Sequence, residues 1–243
     1  MIRVAVPVYN AERWIAGCLT SILAQTVRDC TVVAVNDAST DATGWILDSI
    51  AAADERLTVL HRPRNAGALA NLVLAFAAQM PADDDICLTV DGDDRLLTPR
   101  AFELVSDAHA AGAKLTYGNF IQSNGHTSWV EPYPEHVKKG RAYRAWKWWA
   151  THLRTFRYRL WRHLTAADLV DPETGRTWST AWDCAMMLPM LEMCRPEQVA
   201  CIMTPLYWYN AGNPISDHRK DAEGQRRTGD RIFAMPQREM LPW

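Results

Sequence analysis

The chain has 243 residues, a formal charge of −2, 48% hydrophobic and 22% charged residues. That is long enough for one large core and too apolar for a disordered tail. The longest unbroken apolar run, Leu72 to Ala78, falls far short of the ~20 residues a spanning helix needs, so no transmembrane segment is expected.

The first elements follow in order. Residues 2–8 read as a buried strand, with Asn10 placed to cap a helix over 11–25. A second strand over 31–35 ends in Asn36-Asp37-Ala38-Ser39-Thr40-Asp41, and a helix follows over 42–53. A short strand over 57–60 leads through Arg64-Asn65-Ala66-Gly67 into a helix over 68–80. A fourth strand, 86–90, is closed by Asp91-Gly92-Asp93-Asp94, then a helix over 98–111 and a strand over 114–121. Further on, helices are expected near 142–150, 153–164 and 183–194, the last with Pro189 inside, and a strand over 199–209. The last 30 residues are polar and read as a surface tail.

Apolar strands alternating with helices predict an α/β fold, a mostly parallel central sheet with helices on both faces. Ligands of such sheets bind at the carboxyl ends of the strands. Three of those ends carry polar clusters: Tyr9-Asn10, Asn36-Asp37 and Asp91 to Asp94. Carboxylates as close as Asp91, Asp93 and Asp94 repel unless a cation neutralises them, and their hard oxygens suit Mg²⁺ or Mn²⁺. Gly92 lets that turn approach its neighbours closely.

In this order, Val6-Pro7-Val8-Tyr9-Asn10, Val35 to Asp41, Asn65-Ala66-Gly67 with Asn71, and Asp91-Gly92-Asp93-Asp94 resemble the family 2 glycosyltransferases of GT-A fold. The match covers about residues 2–120. It implies a nucleotide-diphosphate sugar donor, a divalent metal (Mn²⁺ or Mg²⁺) and inversion at the anomeric carbon. It implies one domain over 1–243, with a donor-binding half (1–120) and an acceptor-binding half (121–243). By the same resemblance Pro7, Tyr9, Asn10 and Asp37 hold the nucleoside, Arg64 approaches the base, Asn65 and Gly67 line the donor site, Asp91 and Gly92 lie by the ribose and phosphates, and Asp93 binds the metal. Asn36 stands where the family has a second acid, which implies altered nucleoside contacts. Asp183, ahead of a helix, is the implied general base, although a helix cap would explain it too; Glu192 is the second candidate. Leu188 to Met193, Leu206-Tyr207-Trp208-Tyr209-Asn210, Asn213 to His218 and His152 to Arg157 also resemble a pattern of small glycosyltransferases of phages and large viruses. His218 is then a metal or diphosphate ligand, and His152, Arg154 and Arg157 are acceptor or phosphate contacts.

From His136 to Ala167 there are nine Lys and Arg and no Asp or Glu, with seven interleaved aromatics. This admits a nucleic-acid groove, a peripheral membrane contact, or two amphipathic helices with a buried aromatic face. On the first reading the acceptor is a hydroxymethylated pyrimidine in phage-type DNA. The alternatives are a glycan or lipid acceptor, or a nucleotide-sugar-binding module without turnover. The missing glycine-rich loop after the first strand argues against a sugar-nucleotide pyrophosphorylase, and no P-loop or dinucleotide fingerprint occurs. The six scattered cysteines read as reduced thiols, and with no leader at residues 1–10 the expected location is cytoplasmic.

Overall fold

A computed structural model describes residues 1–215 and 221–243. Strands β1 (Ile2–Val8), β2 (Cys30–Asn36), β3 (Leu57–His61) and β4 (Ile86–Thr89) alternate with helices α1 (Ile15–Leu23), α2 (Thr43–Ala51) and α3 (Ala68–Gln79). Then come β5 (Arg95–Leu96), α4 (Ala101–Ala110), β6 (Leu115–Gln122), α5 (Glu135–Gly140), β7 (Thr155–Arg157), α6 (Tyr158–Trp161) and α7 (Ala166–Leu169). A small hairpin, β8 (Val170–Asp171) and β9 (Arg176–Thr177), precedes α8 (Trp182–Met193), β10 (Val199–Tyr209) and α9 (Ala222–Phe233).

The main sheet has the order β3-β2-β1-β4-β7-β6-β10-β5. β1 runs parallel to β2 and β4, β2 to β3, and β6 to β10; β7 and β5 are antiparallel to their neighbours. The expected mostly parallel sheet is therefore present, and its strands draw on both halves of the chain. Alternation along β1 sends Val4, Val6 and Val8 to the layer of α1, α2 and α4, while Ala5 joins α3 and α8 on the other face.

Three expectations are corrected. Asn10 does not cap α1: its backbone is left-handed, and its Oδ1 accepts from the Thr40 amide at 2.8 Å. The helix starts four residues later than expected, with no side-chain cap. The two helices expected over 142–164 reduce to a single 3₁₀ turn at Tyr143–Ala145 and the four-residue α6, with strand β7 between them. The tail is not all surface: α9 buries Ile232, and the Leu241 amide bonds the Met193 carbonyl at 3.0 Å.

The basic stretch is no groove. Arg144 binds the fully buried Glu192 through Nε at 2.5 Å and Nη2 at 3.1 Å. Arg141, Arg159 and Arg162 bond Arg238 O, Pro242 O and Asp83 Oδ1, while Tyr143, Phe156 and Trp161 are buried. Several of its arginines are thus engaged within the fold, and its aromatics pack in or against the core. Glu192, paired in this way, is not available as a base. All six cysteines are free, five of them buried. No helix among the described residues is long and apolar enough to cross a membrane.

Candidate active site

The carboxyl ends of β1, β2 and β4 meet at one crevice. The Asp37 amide bonds Val8 O at 2.9 Å and the Gly92 amide bonds Pro7 O at 3.0 Å, so the loops after β2 and β4 are both stitched to the end of β1. A Cβ on Gly92 would lie 2.6 Å from the Val8 Cβ and 3.2 Å from Pro7 O; only glycine permits this approach.

The loop after β2 is satisfied within the protein. Asp37, 2% exposed, accepts from the Ala66 amide through Oδ1 at 2.8 Å and from the Gly67 amide through Oδ2 at 2.9 Å. Gly67, with φ +86°, turns the chain from this contact into α3. Asn65 donates to Asp37 O, while Arg64 and Tyr9 are exposed. Asn36 is likewise engaged: its Oδ1 accepts from the Ser39 amide at 3.1 Å and its Nδ2 meets His61 Nδ1 at 3.0 Å. The Asn at this position thus also serves the loop itself.

The turn after β4 is different. Asp94 is 2% exposed, and Oδ2 accepts from Tyr207 Oη at 2.7 Å while Oδ1 accepts from the Asn210 amide at 2.7 Å. Tyr207 Oη in turn accepts from the Asp91 amide at 3.0 Å. Asp93 Oδ2 accepts from Asn213 Nδ2 at 2.6 Å. Burial pushes the Asp94 carboxyl well up, reinforced by the charges of Asp93 and Asp91, and burial also raises Asp93. Tyr207, Asn210 and Asn213 are neutral donors to Asp93 and Asp94.

Ligand atoms of Asp91, Asp94 and His152 lie within 4.8 Å of one another. His152 was expected to touch acceptor or phosphate, and the reason it arrives here is the direction of β7. That strand is antiparallel to β4, with Thr155 opposite Leu88 and Arg157 opposite Ile86. Residues before 155 therefore reach the acid end of β4. Arg157 lies at the opposite end, where it bonds Asp84 O, so it is not brought to the site. His152 stacks on Tyr207 with ring centroids 4.2 Å apart. Its Nε2 meets Arg154 Nη2 at 2.9 Å, and Arg154 Nη2 lies 3.7 Å from Asp183 Oδ2. Burial, and then the Arg154 charge, push the His152 pKa well below its ordinary value.

Asp183 sits in the first turn of α8, which has no side-chain cap. The cap reading of Asp183 is thereby removed. A contact path joins it to the acids: Asp94 to Tyr207, Tyr207 stacked on His152, His152 to Arg154, Arg154 to Asp183. Several polar atoms along this path are buried without a partner: His152 Nδ1, Arg154 Nε and Nη1, Thr180 Oγ1 and Asn210 Nδ2. Buried polar groups are rarely left so, and a concentration of them marks a place for a polar ligand.

The donor set fits a hard divalent cation, because carboxylate oxygens of Asp91 and Asp94 predominate in a cluster whose ligand atoms, with a His152 ring nitrogen, lie within 4.8 Å of one another. Among the described residues, the cluster of suitable spacing includes Asp91 and Asp94, where the sequence pointed to Asp93; His218 lies outside the described residues. Tyr207, Asn210 and Asn213 escaped sequence analysis as parts of the site. Their three-residue spacing at the end of β10 is the trace they leave, legible only once β10 is known to meet the acidic turn.

Comparison with known proteins agrees with this geometry. The family described as Glycosyl transferase family 2 matches residues 3–172, and the chain belongs to that family. Glycosyltransferase GlyG of Streptococcus pneumoniae serotype 4 is 29% identical over 120 residues, 49% of this chain and 39% of that one. Chondroitin synthase of Pasteurella multocida is 31% identical over 90 residues, 35% of this chain and 9% of that one. The structure of Staphylococcus aureus TarS 1–349 in complex with UDP-GlcNAc superposes with TM-score 0.67 at 18% identity, over 93% of this chain and 64% of that one. This likeness shows the shared GT-A fold. The chain spans less than two thirds of each of these proteins.

Proposed function

We propose that this chain is a divalent-cation-dependent inverting glycosyltransferase that moves a sugar from a nucleoside-diphosphate donor to a hydroxyl of a glycan or lipid-linked acceptor. The observation that carries this reading is the carboxylate cluster after β4, with Asp94 and Asp93 raised by burial and ligand atoms of Asp91 and Asp94 within 4.8 Å of a His152 ring nitrogen. Family membership supports it, and so does the UDP-GlcNAc held by the TarS structure.

In this reading Asp91, Asp93 and Asp94 hold Mn²⁺ or Mg²⁺, which when bound offsets charge on the leaving diphosphate. Pro7, Tyr9 and Asn10 border the nucleoside with Arg64, Asn65 and Gly67, and Asp37 acts by fixing the Ala66-Gly67 loop against them. Gly92 keeps the acidic turn close to β1. Arg154 and His152 direct N–H groups at phosphate oxygens. Asp183, with side chain 24% exposed, accepts the proton of the attacking acceptor hydroxyl. One base on the face away from the leaving group gives inversion.

A glycan or lipid-linked acceptor is favoured over DNA for two reasons. Four arginines of the basic stretch, Arg141, Arg144, Arg159 and Arg162, are engaged by Glu192, Asp83 and backbone carbonyls. The chondroitin synthase relative is named for a glycan product. Six unpaired thiols suit a reducing compartment, and action at the cytoplasmic side fits them. The test is a thermal-shift screen of UDP-, GDP-, CDP- and dTDP-sugars with Mn²⁺, followed by transfer assays with the donor that binds. One donor should raise Tm by mass action, and transfer to a saccharide or lipid-linked acceptor should vanish with EDTA. Transfer to hydroxymethylcytosine DNA alone, or binding without any turnover, would overturn the reading.

A further inference from the structure

We infer that Arg154 is a positioning residue that fixes the tautomer of His152, so that His152 offers its Nδ1–H to an anionic oxygen of the bound nucleoside diphosphate and does not ligate the metal. The inference rests on the functional reading above and deepens it at one ring.

The argument begins with what arginine is able to do. A guanidinium has five N–H donors and no acceptor, and it does not lose its proton in proteins. The 2.9 Å contact between Arg154 Nη2 and His152 Nε2 therefore runs one way, with Arg154 donating and Nε2 accepting. A ring that accepts at Nε2 is not doubly protonated and carries its one proton on Nδ1. The Nε2 lone pair is used by Arg154, and the Nδ1 lone pair is used by a proton. Neither nitrogen is left to bind a cation, even though the ring lies within 4.8 Å of the Asp91 and Asp94 ligand atoms.

Nδ1–H is then a donor in search of an acceptor. His152 is 8% exposed and Nδ1 is buried without a partner. Arg154, 3% exposed, has Nε and Nη1 in the same condition. Each of these buried N–H groups calls for an acceptor oxygen. Stacking on Tyr207 at 4.2 Å and the edge of Phe120 at 5.6 Å hold the plane of the ring, so rotation is not an easy escape. Tyr207 in turn is tied to Asp94 at 2.7 Å. The ring is thus set in orientation by aromatics and in tautomer by Arg154. A diphosphate supplies the required oxygens beside a carboxylate-held cation, because its charge is shared between the cation on one side and N–H donors on the other.

The decisive measurements are spectroscopic and thermodynamic. Long-range ¹H–¹⁵N spectra of the whole protein should show His152 as the neutral Nδ1–H tautomer, and Arg154→Met should convert it wholly or partly to Nε2–H. An asparagine amide overlays Nδ1 and a glutamine amide overlays Nε2. Calorimetry with whichever of UDP, GDP, CDP, dTDP or ADP the wild type binds should find H152N within about threefold of wild type and H152Q weaker by about tenfold or more. Mn²⁺ affinity, read by electron paramagnetic resonance without nucleotide, should be the same in wild type and H152N. An Nε2–H tautomer in the wild type, equal losses in H152N and H152Q, or weaker Mn²⁺ binding in H152N overturns the inference. A wild type that binds no nucleoside diphosphate overturns the functional reading instead, and the tautomer spectrum still decides the role of Arg154.

Discussion

Two neighbouring strand ends carry buried carboxylates, and the fold treats them in opposite ways. At the end of β2, Asp37 receives an amide on each oxygen, from Ala66 and Gly67. At the end of β4, three acids crowd one turn, and among the described residues the donors to Asp93 and Asp94 include the neutral Tyr207, Asn210 and Asn213. Asp37 and Asp94 are equally buried, while Asp91 and Asp93 are half-buried. The first carboxylate organises a loop, while the second group stores a charge that a ligand can relieve. A buried acid is thus informative through what faces it, not through its burial alone.

The largest expected break in this contrast is functional. Asp93→Asn should cut transfer by about 10²–10³-fold, by removing a charge that supports the leaving diphosphate, while Tm of the metal-free protein stays level or rises. Paired turnover and melting measurements check it; a lower Tm with intact turnover would place Asp93 with Asp37 as scaffold.

Asp37→Ala should act the other way. Two buried amides lose their acceptor, which costs about 3 kcal/mol, a fall in Tm on the order of 10 °C for a chain of this length. Urea unfolding reads the loss directly. Unchanged stability with lost nucleotide binding would mean that Asp37 touches the nucleoside itself.

The smallest effect at neutral pH concerns a buried group that the fold keeps neutral. His109 Nδ1 faces Ala113 O at 3.0 Å and Nε2 faces Thr155 Oγ1 at 2.8 Å. Burial, with Arg157 nearby, pulls its pKa from 6.5 down to about 3. Between those values the unfolded chain binds the extra proton and the folded chain does not. Stability therefore rises with pH across this window and is lost as pH falls through it. In His109→Gln the slope between pH 4 and 6 should flatten by up to about 1.4 kcal/mol per pH unit. An unaltered slope would show that the ring titrates freely in the fold.

Most of residues 2–122 was legible because β1, β2 and β4 are apolar runs separated by helices and turn residues, although the two-residue β5 and the late start of α1 were not. The strand at Thr155–Arg157 was not. It has three residues, too few for a period, and arginines flank it, so a helical reading of 153–164 competed successfully. Its strand character comes from the gap it fills between β4 and β6. The same limit hid the buried pairing of Arg144 with Glu192, 48 residues apart. Charge density in a sequence gives no sign of where the countercharge waits.

By itself, then, the order of residues determined the alternating α/β layers, the acidic turn after the fourth strand and the family to which the chain belongs. These are local matters, settled by hydrophobic period, by turn chemistry and by side chains adjacent in sequence. Only tertiary structure decided that Asn36 and Asp37 are occupied by their own loops, that Arg157 faces away, and that Tyr207, His152 and Arg154 join the acids to Asp183. Those outcomes depend on strand direction and on contacts between residues far apart in the chain, and a hydrogen bond has no fixed partner until the fold brings one within reach.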